Sequence, residues 1–391
     1  MKNKIKLIRI TTVPISLKIL LKGQHRFMAR NNFDVLGVSS SGTELMDVKN
    51  EEGVDVKSIA MSRKITPLKD LKSLWSAYRL FRKEKPDIVH SHTPKAGIIG
   101  MVAAKLAGVP IRLHTVAGMP LMEVKGGKRK ILDFVERLTY SAATKVYPNS
   151  KGLFDFIISH QYTSSDKLKV IGNGSSNGIN TSLFSKEVIS AEQQNLLRNE
   201  LGIGNDDFVF VFVGRLVGDK GVNELIKAFC ELNYPSVRLL LVGPLESDLD
   251  PLDKDTLRRI DENERIIPVG FQKDVRPYFA ISNALVFPSY REGFPNVVMQ
   301  AGAMELPAIV SDINGCNEII IEGKNGTIIP VKNVDAVKKA MEMMITDKEL
   351  YLKMKGNARE MITERYEQQV VWDALLTEYK SLLKDKGLDN V

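Results

Sequence analysis

Two short segments of this chain hold residues that could handle a phosphorylated, hydroxyl-rich substrate. The first is Tyr290-Arg291-Glu292-Gly293-Phe294-Pro295-Asn296-Val297, which follows an apolar run at 284–288 and opens a stretch of helical character. A helix that begins where a strand ends aims free backbone N–H groups and the positive end of its dipole at one point, which suits an anion. Glu292 stands beside that point and can accept hydrogen bonds from hydroxyls. Phosphate plus hydroxyls describes a nucleotide sugar. The second segment is Gly214-Arg215-Leu216-Val217-Gly218-Asp219-Lys220-Gly221, after the apolar run Phe208–Val213. Transfer of a sugar from its nucleotide releases a nucleoside diphosphate, and negative charge builds on that leaving group. Fixed cations such as Arg215 and Lys220 can stabilise it, as a metal otherwise would. Alone, this loop reads equally well as surface with stray charges; beside the Glu292 segment it reads as an anion seat.

Other candidates are weaker. His114 ends the strand-like run Ile111–Val116, and an imidazole there can donate or accept near a sugar. His90 and His92 would share one face of a strand, so a zinc site is conceivable, but no third ligand cluster accompanies them. Asp248 and Asp250 could hold a divalent metal against a diphosphate, yet they sit in an acidic run at 246–255 that reads as a solvated loop. Gly126-Gly127-Lys128-Arg129-Lys130 is a short basic cluster, either a solvated helix start or part of a substrate loop. Cys230 and Cys316 lie far apart without metal spacing and read as reduced thiols.

The elements that must position these residues follow an α/β pattern. At 391 residues, with 43% hydrophobic and 26% charged, the chain is ordinary globular material for two domains. Short apolar runs alternate with helix-length segments. They predict strands over Ile5–Ile10, 33–38, 54–60, 87–90, Ile111–Val116, 144–147 and 168–171, with a helix over 67–85. The polar stretch 172–178 reads as the start of a linker. The pattern then restarts, with strands over Phe208–Val213, Val237–Val242, 266–269, Ala284–Phe287 and 308–310. From Val334 the chain reads as helix, with breaks near Asp347 and Glu367.

Charge is divided unevenly. Through Lys186 there are 31 Lys+Arg against 14 Asp+Glu, and the remainder carries 24 against 33, so +17 faces −9. Such imbalance speaks of partners rather than fold. Basic residues crowd at 2–9, 18–30, 63–85 and 125–137, near apolar residues that read as exposed: Ile15, Leu17, Leu20, Leu21, Trp75 and Met122. No nucleic-acid motif is present and aromatic content is low, which argues against nucleic acid. No apolar run approaches the ~18 residues of a membrane span, and the basic start leads into a strand rather than a signal peptide.

The run Arg291-Glu292-Gly293-Phe294-Pro295-Asn296 resembles the signature of the family 4 (group 1) retaining glycosyltransferases, Glu-Gly-(Phe/Leu) with a second Glu eight positions after the first. Here that position is Gln300, a departure: it keeps a carbonyl acceptor but adds an NH₂ donor and loses the charge. The resemblance covers nearly the whole chain. With Asp312-Ile313-Asn314-Gly315-Cys316-Asn317-Glu318, it looks most like bacterial capsule and O-antigen transferases. It implies the GT-B fold, two Rossmann-like doubly wound α/β domains facing across a cleft. The expected boundaries are 1–184 for acceptor binding, 185–371 for nucleotide-sugar binding, and 372–391 for a helix returning to the first domain. It also implies roles. Glu292 and His114 are the catalytic pair, and His90 and His92 line the cleft. Arg215, Lys220, Gly293, Phe294, Asn296, Val297 and Gln300 bind the donor. Lys95 and Lys128 are expected at the acceptor.

The expected activity is transfer of a hexose or N-acetylhexosamine from a UDP- or GDP-sugar to a polyprenyl-diphosphate-linked glycan, with retention and with neither metal nor cofactor. The basic domain is expected on an anionic membrane, at the cytoplasmic face. A sugar-nucleotide epimerase, a starch- or sucrose-type transferase and a non-catalytic nucleotide-sugar binder are the rival readings.

Overall fold

The computed structural model describes residues 4–64, 66–119, 124, 126–246, 248 and 250–388, without the side chain of Lys128. Among the expectations above, Met122 and Lys125 lie outside the described residues.

The chain forms two compact units. One contains Met1–Gly178 together with Gln369–Val391, and the other contains Ile179–Gln368. The expected boundary at 184/185 moves to Gly178/Ile179, and that at 371/372 moves to Gln368/Gln369. The reason is backbone pairing: Ile179 N–H donates to the Tyr366 carbonyl at 2.8 Å and Gln368 N–H to the Ile179 carbonyl at 3.0 Å. The two crossings of the chain are thereby paired with each other.

The first unit is a six-stranded parallel sheet in the order β3-β2-β1-β4-β5-β6. Its strands are β1 (Ile5–Ile10), β2 (Phe33–Ser39), β3 (Asp55–Ser58), β4 (Ile88–Ser91), β5 (Ile111–Val116) and β6 (Lys145–Pro148). The second is also six-stranded and parallel, in the order β12-β11-β10-β7-β8-β9. It contains β7 (Phe208–Val213), β8 (Val237–Val242), β9 (Ile266–Gly270), β10 (Ala284–Phe287), β11 (Ala308–Ser311) and β12 (Gly326–Ile329). The central strands are apolar on both faces, as sheets covered by helices on both sides require; Val209–Phe212 and Ala284–Phe287 are fully buried. Both sheets reverse their strand order at one point, between β1 and β4 and between β7 and β10. Ligands of doubly wound sheets bind at such points, beyond the carboxyl ends of the strands.

Two sequence expectations fail. Residues 168–171 form no strand: Leu168 makes one isolated bridge to Val146, and the 171–174 turn, closed by Gly174 N–H on the Ile171 carbonyl, draws the chain off the sheet. β12 escaped the pattern because it is only four residues long and opens with Gly326, whose missing side chain weakens a strand signal.

From Gln369 onward the helix Gln368–Asp385 belongs to the first unit, where Leu375, Leu376, Tyr379 and Leu383 join the core with Leu7, Phe33 and Val35. Beneath it lies a polar interior. Arg9 is fully buried, donates to the Tyr379 hydroxyl at 3.1 Å and also donates to Gln24. His90 is held between that hydroxyl at 2.5 Å and Thr115 Oγ1 at 2.7 Å, and its ring centroid is 4.1 Å from that of His92. Burial, then the nearby Arg9 charge, depresses His25 to about 3 and His90 well below its ordinary value. Burial and then His90 depress His92, and burial depresses His114 to about 4.

These histidines fold neutral. Below their unfolded value of 6.5 the unfolded chain takes up protons that the native chain refuses, so stability present at neutral pH is lost as pH falls. For His25 alone the loss at pH 5 is about 2 kcal/mol. Half-buried Glu136, pushed up to about 6 by burial, works in the opposite sense and offsets part of this. Urea unfolding should therefore show stability falling steadily from pH 6.5 to 4.5, and His25→Gln should flatten that slope; a profile level across this window would contradict the buried neutral cluster.

Candidate active site

The two segments singled out by their chemistry follow β7 and β10, the neighbouring strands at the switch point of the second unit. Their backbones come very close. Gly221 has φ +70°, and a Cβ there would lie 2.1 Å from the Pro288 carbonyl oxygen, so both conformation and space demand glycine. Leu216 N–H donates to the Pro244 carbonyl at 2.8 Å, which ties the same loop to the segment after β8.

The side chains complete the junction. Lys220 Nζ donates to Glu292 Oε1 at 2.5 Å, with both side chains only 17% exposed, and Ser289 Oγ donates to the same oxygen at 2.9 Å. Arg291 pairs with Asp219 at 2.6 Å. Arg215 is half-exposed and pairs with Glu246 at 3.0 Å. Asn314 Nδ2 donates to the carbonyls of Gly293 at 2.6 Å and Glu292 at 3.2 Å, which fixes the turn into the helix Asn296–Ala303. That helix begins after Pro295 with no side chain capping its first turn. Its first-turn N–H groups, next in the chain to the Glu292 loop, therefore have no side-chain cap among the described residues, and Gly293 and Phe294 of that loop are half-buried. Gln300 is half-buried on the same helix, one turn beyond Asn296 and Val297. The arrangement offers cations, open backbone donors and a carboxylate acceptor within one small region.

The other expected residues lie in the first unit. His114 is inside β5, 3% exposed, with Nδ1 2.8 Å from Ser91 Oγ. Its ring packs on Gly97, where a Cβ would meet Cε1 at 2.5 Å. Lys95 is drawn into an ion pair with Asp70 at 2.5 Å and donates to the Lys64 carbonyl at 2.9 Å. The side chain of Lys128 lies outside the described residues. Among the described residues no group of three or more His, Cys, Asp or Glu side chains could hold a metal ion.

Sequence reasoning missed Ser289, Asp219 and Asn314 as parts of the site. Only Asn314 carried a signal, as an Asn-Gly pair just after β11.

Residues 193–361 match the family model described as glycosyl transferases group 1, and residues 28–174 match the glycosyl transferase 4-like domain. The capsular polysaccharide biosynthesis glycosyltransferase CapM of Staphylococcus aureus is 35% identical over 98% of this chain and 99% of its own length. This chain is a family 4 (group 1) glycosyltransferase. A second relative, 28% identical over 93% of this chain and 94% of its own length, is the Escherichia coli UDP-Gal:alpha-D-GlcNAc-diphosphoundecaprenol alpha-1,3-galactosyltransferase. Among solved structures, Anabaena Alr3699/HepE in complex with UDP and glucose superposes with a TM-score of 0.76 at 19% identity, over 96% of this chain and all of that one. Its likeness supports the GT-B fold.

In this glycosyltransferase Glu292 should matter to turnover rather than to folding, because its carboxylate serves a partly open junction. A hydrogen bond to a charged group is worth about 1.5–3 kcal/mol. Glu292→Gln should therefore lower kcat by about one to two orders of magnitude with little change in unfolding midpoint. A loss smaller than threefold would remove Glu292 from the reaction.

Proposed function

We propose that this glycosyltransferase moves a hexose or N-acetylhexosamine, with retention, from a UDP- or GDP-sugar to a polyprenyl-diphosphate-linked glycan in the assembly of a surface polysaccharide. The observation that carries this reading is the Lys220–Glu292 pair at the β7/β10 switch point, beside an uncapped helix start. Arriving diphosphate offers Lys220 and Arg215 an anion in place of their carboxylate partners, and offers the open N–H groups near Asn296 and Val297 an acceptor. Glu292 is then released to accept the hydroxyls of the donor sugar lying along Gly293 and Phe294. Gln300 accepts from the ribose through its carbonyl. The two cations take the leaving-group charge that a divalent metal takes elsewhere. In the first unit, we assign neutral His114 to the reacting sugar and Lys95 and Lys128 to the acceptor. The acceptor class is supported by the name of the E. coli relative, which acts on a diphosphoundecaprenol-linked sugar, and the pathway by that of CapM.

A lipid-linked acceptor requires the enzyme at a membrane, and the first unit has a suitable face. The helix Pro67–Glu84 exposes Leu68, Leu71 and Trp75 along one stripe, beside Lys69, Lys72 and Arg79. The helix Gly126–Ala142 exposes Ile131, Phe134 and Leu138, with Lys130 and Arg137 nearby. Both helices pack against Pro94–Ala107 and so share one layer. Exposed apolar stripes flanked by cations fit the interface of an anionic bilayer, where each basic residue contributes about 1 kcal/mol. Other apolar residues near the basic runs turn inward: Leu17 and Leu21 are fully buried against the sheet and Leu20 is half-buried, so they take no part in this face. Among the described residues no helix is long and apolar enough to cross a membrane.

The donor reading is tested with a thermal-shift panel of UDP-, GDP- and ADP-sugars. A cognate donor at ~100 times its dissociation constant should add about 2.7 kcal/mol. Arg215→Ala with Lys220→Ala should abolish transfer while the fold survives, and wild-type transfer should persist in EDTA. Near-normal turnover in the double variant, or a requirement for added Mg²⁺ or Mn²⁺, would reject this seat. For the membrane face, sedimentation with anionic liposomes should be strong at low salt and weak at 1 M, where the Debye length has shrunk to ~3 Å. Leu71→Glu with Trp75→Glu should release the protein at low salt too; unchanged sedimentation would rule this face out.

A further inference from the structure

The acidic stretch after β8 carries Asp248 and Asp250, which their spacing leaves as either a metal pair or part of a solvated loop. The structure gives Asp250 a different occupation. Its Oδ2 accepts the backbone N–H of Asp219 at 2.5 Å, and its backbone carbonyl accepts the N–H of Gly218 at 3.1 Å. Both N–H groups belong to the short 3-10 turn Gly218–Lys220, which follows Arg215 and ends at Lys220. The fit is close: a Cβ on Gly218 would stand 3.0 Å from each carboxylate oxygen of Asp250.

The same turn is held from its other side. The Asp219 carbonyl accepts the N–H of Tyr290 at 2.9 Å, and its carboxylate pairs with Arg291. Within itself the segment has little to hold it, since its internal bonds are Gly221 N–H to the Gly218 carbonyl at 2.9 Å and Lys220 N–H to the Val217 carbonyl at 3.3 Å. Three residues cannot hold one conformation on so few bonds against the entropy of ordering them. The external acceptors therefore decide where the turn sits, and with it the Lys220 ammonium. A misplacement of about 1 Å is enough to impair a charge seat.

We propose that Asp250 is a positioning residue for the transfer reaction. By anchoring the Gly218–Lys220 turn it sets the separation of Arg215 and Lys220, and so the geometry of the diphosphate seat. This inference rests on the donor-site reading above. It makes Asp250 a brace rather than a metal ligand. A brace needs only a hydrogen-bond acceptor, whereas a divalent cation is held much more weakly when a carboxylate ligand becomes a neutral amide.

Calorimetric titration of UDP and GDP, in EDTA and with added Mg²⁺, separates these roles. Asp250→Ala should weaken binding by about tenfold or more, with the donor KM rising more than kcat falls. Asp250→Asn, which keeps an acceptor oxygen in place, should bind within threefold of wild type. Gly218→Ala keeps every hydrogen-bonding group and only displaces the carboxylate, so it should also lose about tenfold. In the Asp250→Ala background Gly218→Ala should cost nothing further, because the carboxylate it crowds is gone. If Asp250→Ala does not fold, Gly218→Ala and Asp250→Asn carry the test. The role is overturned if Asp250→Asn is as damaging as Asp250→Ala, if Gly218→Ala binds normally, or if Mg²⁺ tightens binding in wild type and in neither Asp250 variant. Arg215→Ala with Lys220→Ala serves as the reference. Normal binding there removes the donor site itself; weak binding there with normal binding in Asp250→Ala removes only the brace.

Discussion

The approach of Gly221 to the Pro288 carbonyl governs the second unit. Two loops leave adjacent parallel strands, and a side chain at 221 would drive them apart. Because nothing intervenes, Lys220 reaches Glu292 and Tyr290 N–H reaches the Asp219 carbonyl. The charge arrangement is thus a consequence of backbone proximity. The ion pair itself, partly shielded, offers modest stability and a ready exchange of partners. A cation held by a protein carboxylate is presented in position, yet can be won over by a stronger, doubly charged anion.

The first unit solves a different problem. It buries a guanidinium, Arg9, together with three neutral histidines under the last helix. Burying such a charge is costly unless its donors find partners; Gln24 and Tyr379 take Nη1 and Nη2, while Nε has no hydrogen-bond partner among the described residues. Tyr379 lies 370 positions along the chain from Arg9. The first strand and the last long helix are therefore bound by polar complementarity as well as by the apolar packing of Leu375 and Leu383.

Much of this was legible in the sequence where one physical signal dominated. β7 and β10 occupy the residues that continuous apolar runs indicate, as strands buried on both faces do, and β1, β5 and β8 were legible from apolar runs broken by only a few polar residues. Arg215, Lys220 and Glu292 stood out because they follow such strands. What the sequence concealed was pairing at a distance. Nothing local shows that Lys95 meets Asp70, that Asp219 N–H meets Asp250, or that Leu17 and Leu21 turn inward. A short strand was hidden because it is brief: Gly326–Ile329 has only four residues, too few for a run to stand out, although they pair in register with β11.

The discontinuity of the first unit also bears on synthesis. The second unit is one uninterrupted stretch, Ile179–Gln368, and can complete its core as soon as that stretch has left the ribosome. The first unit begins earlier and finishes later. Until Tyr379 emerges, Arg9 and His90 lack their shared hydroxyl partner, and the apolar face that receives Leu375 and Leu383 stays open to solvent. The N-terminal half is therefore the last to mature. During that interval its open apolar face is exposed to aggregation, and a chain that stops just before the final helix leaves that half unfinished while the other has its whole sequence.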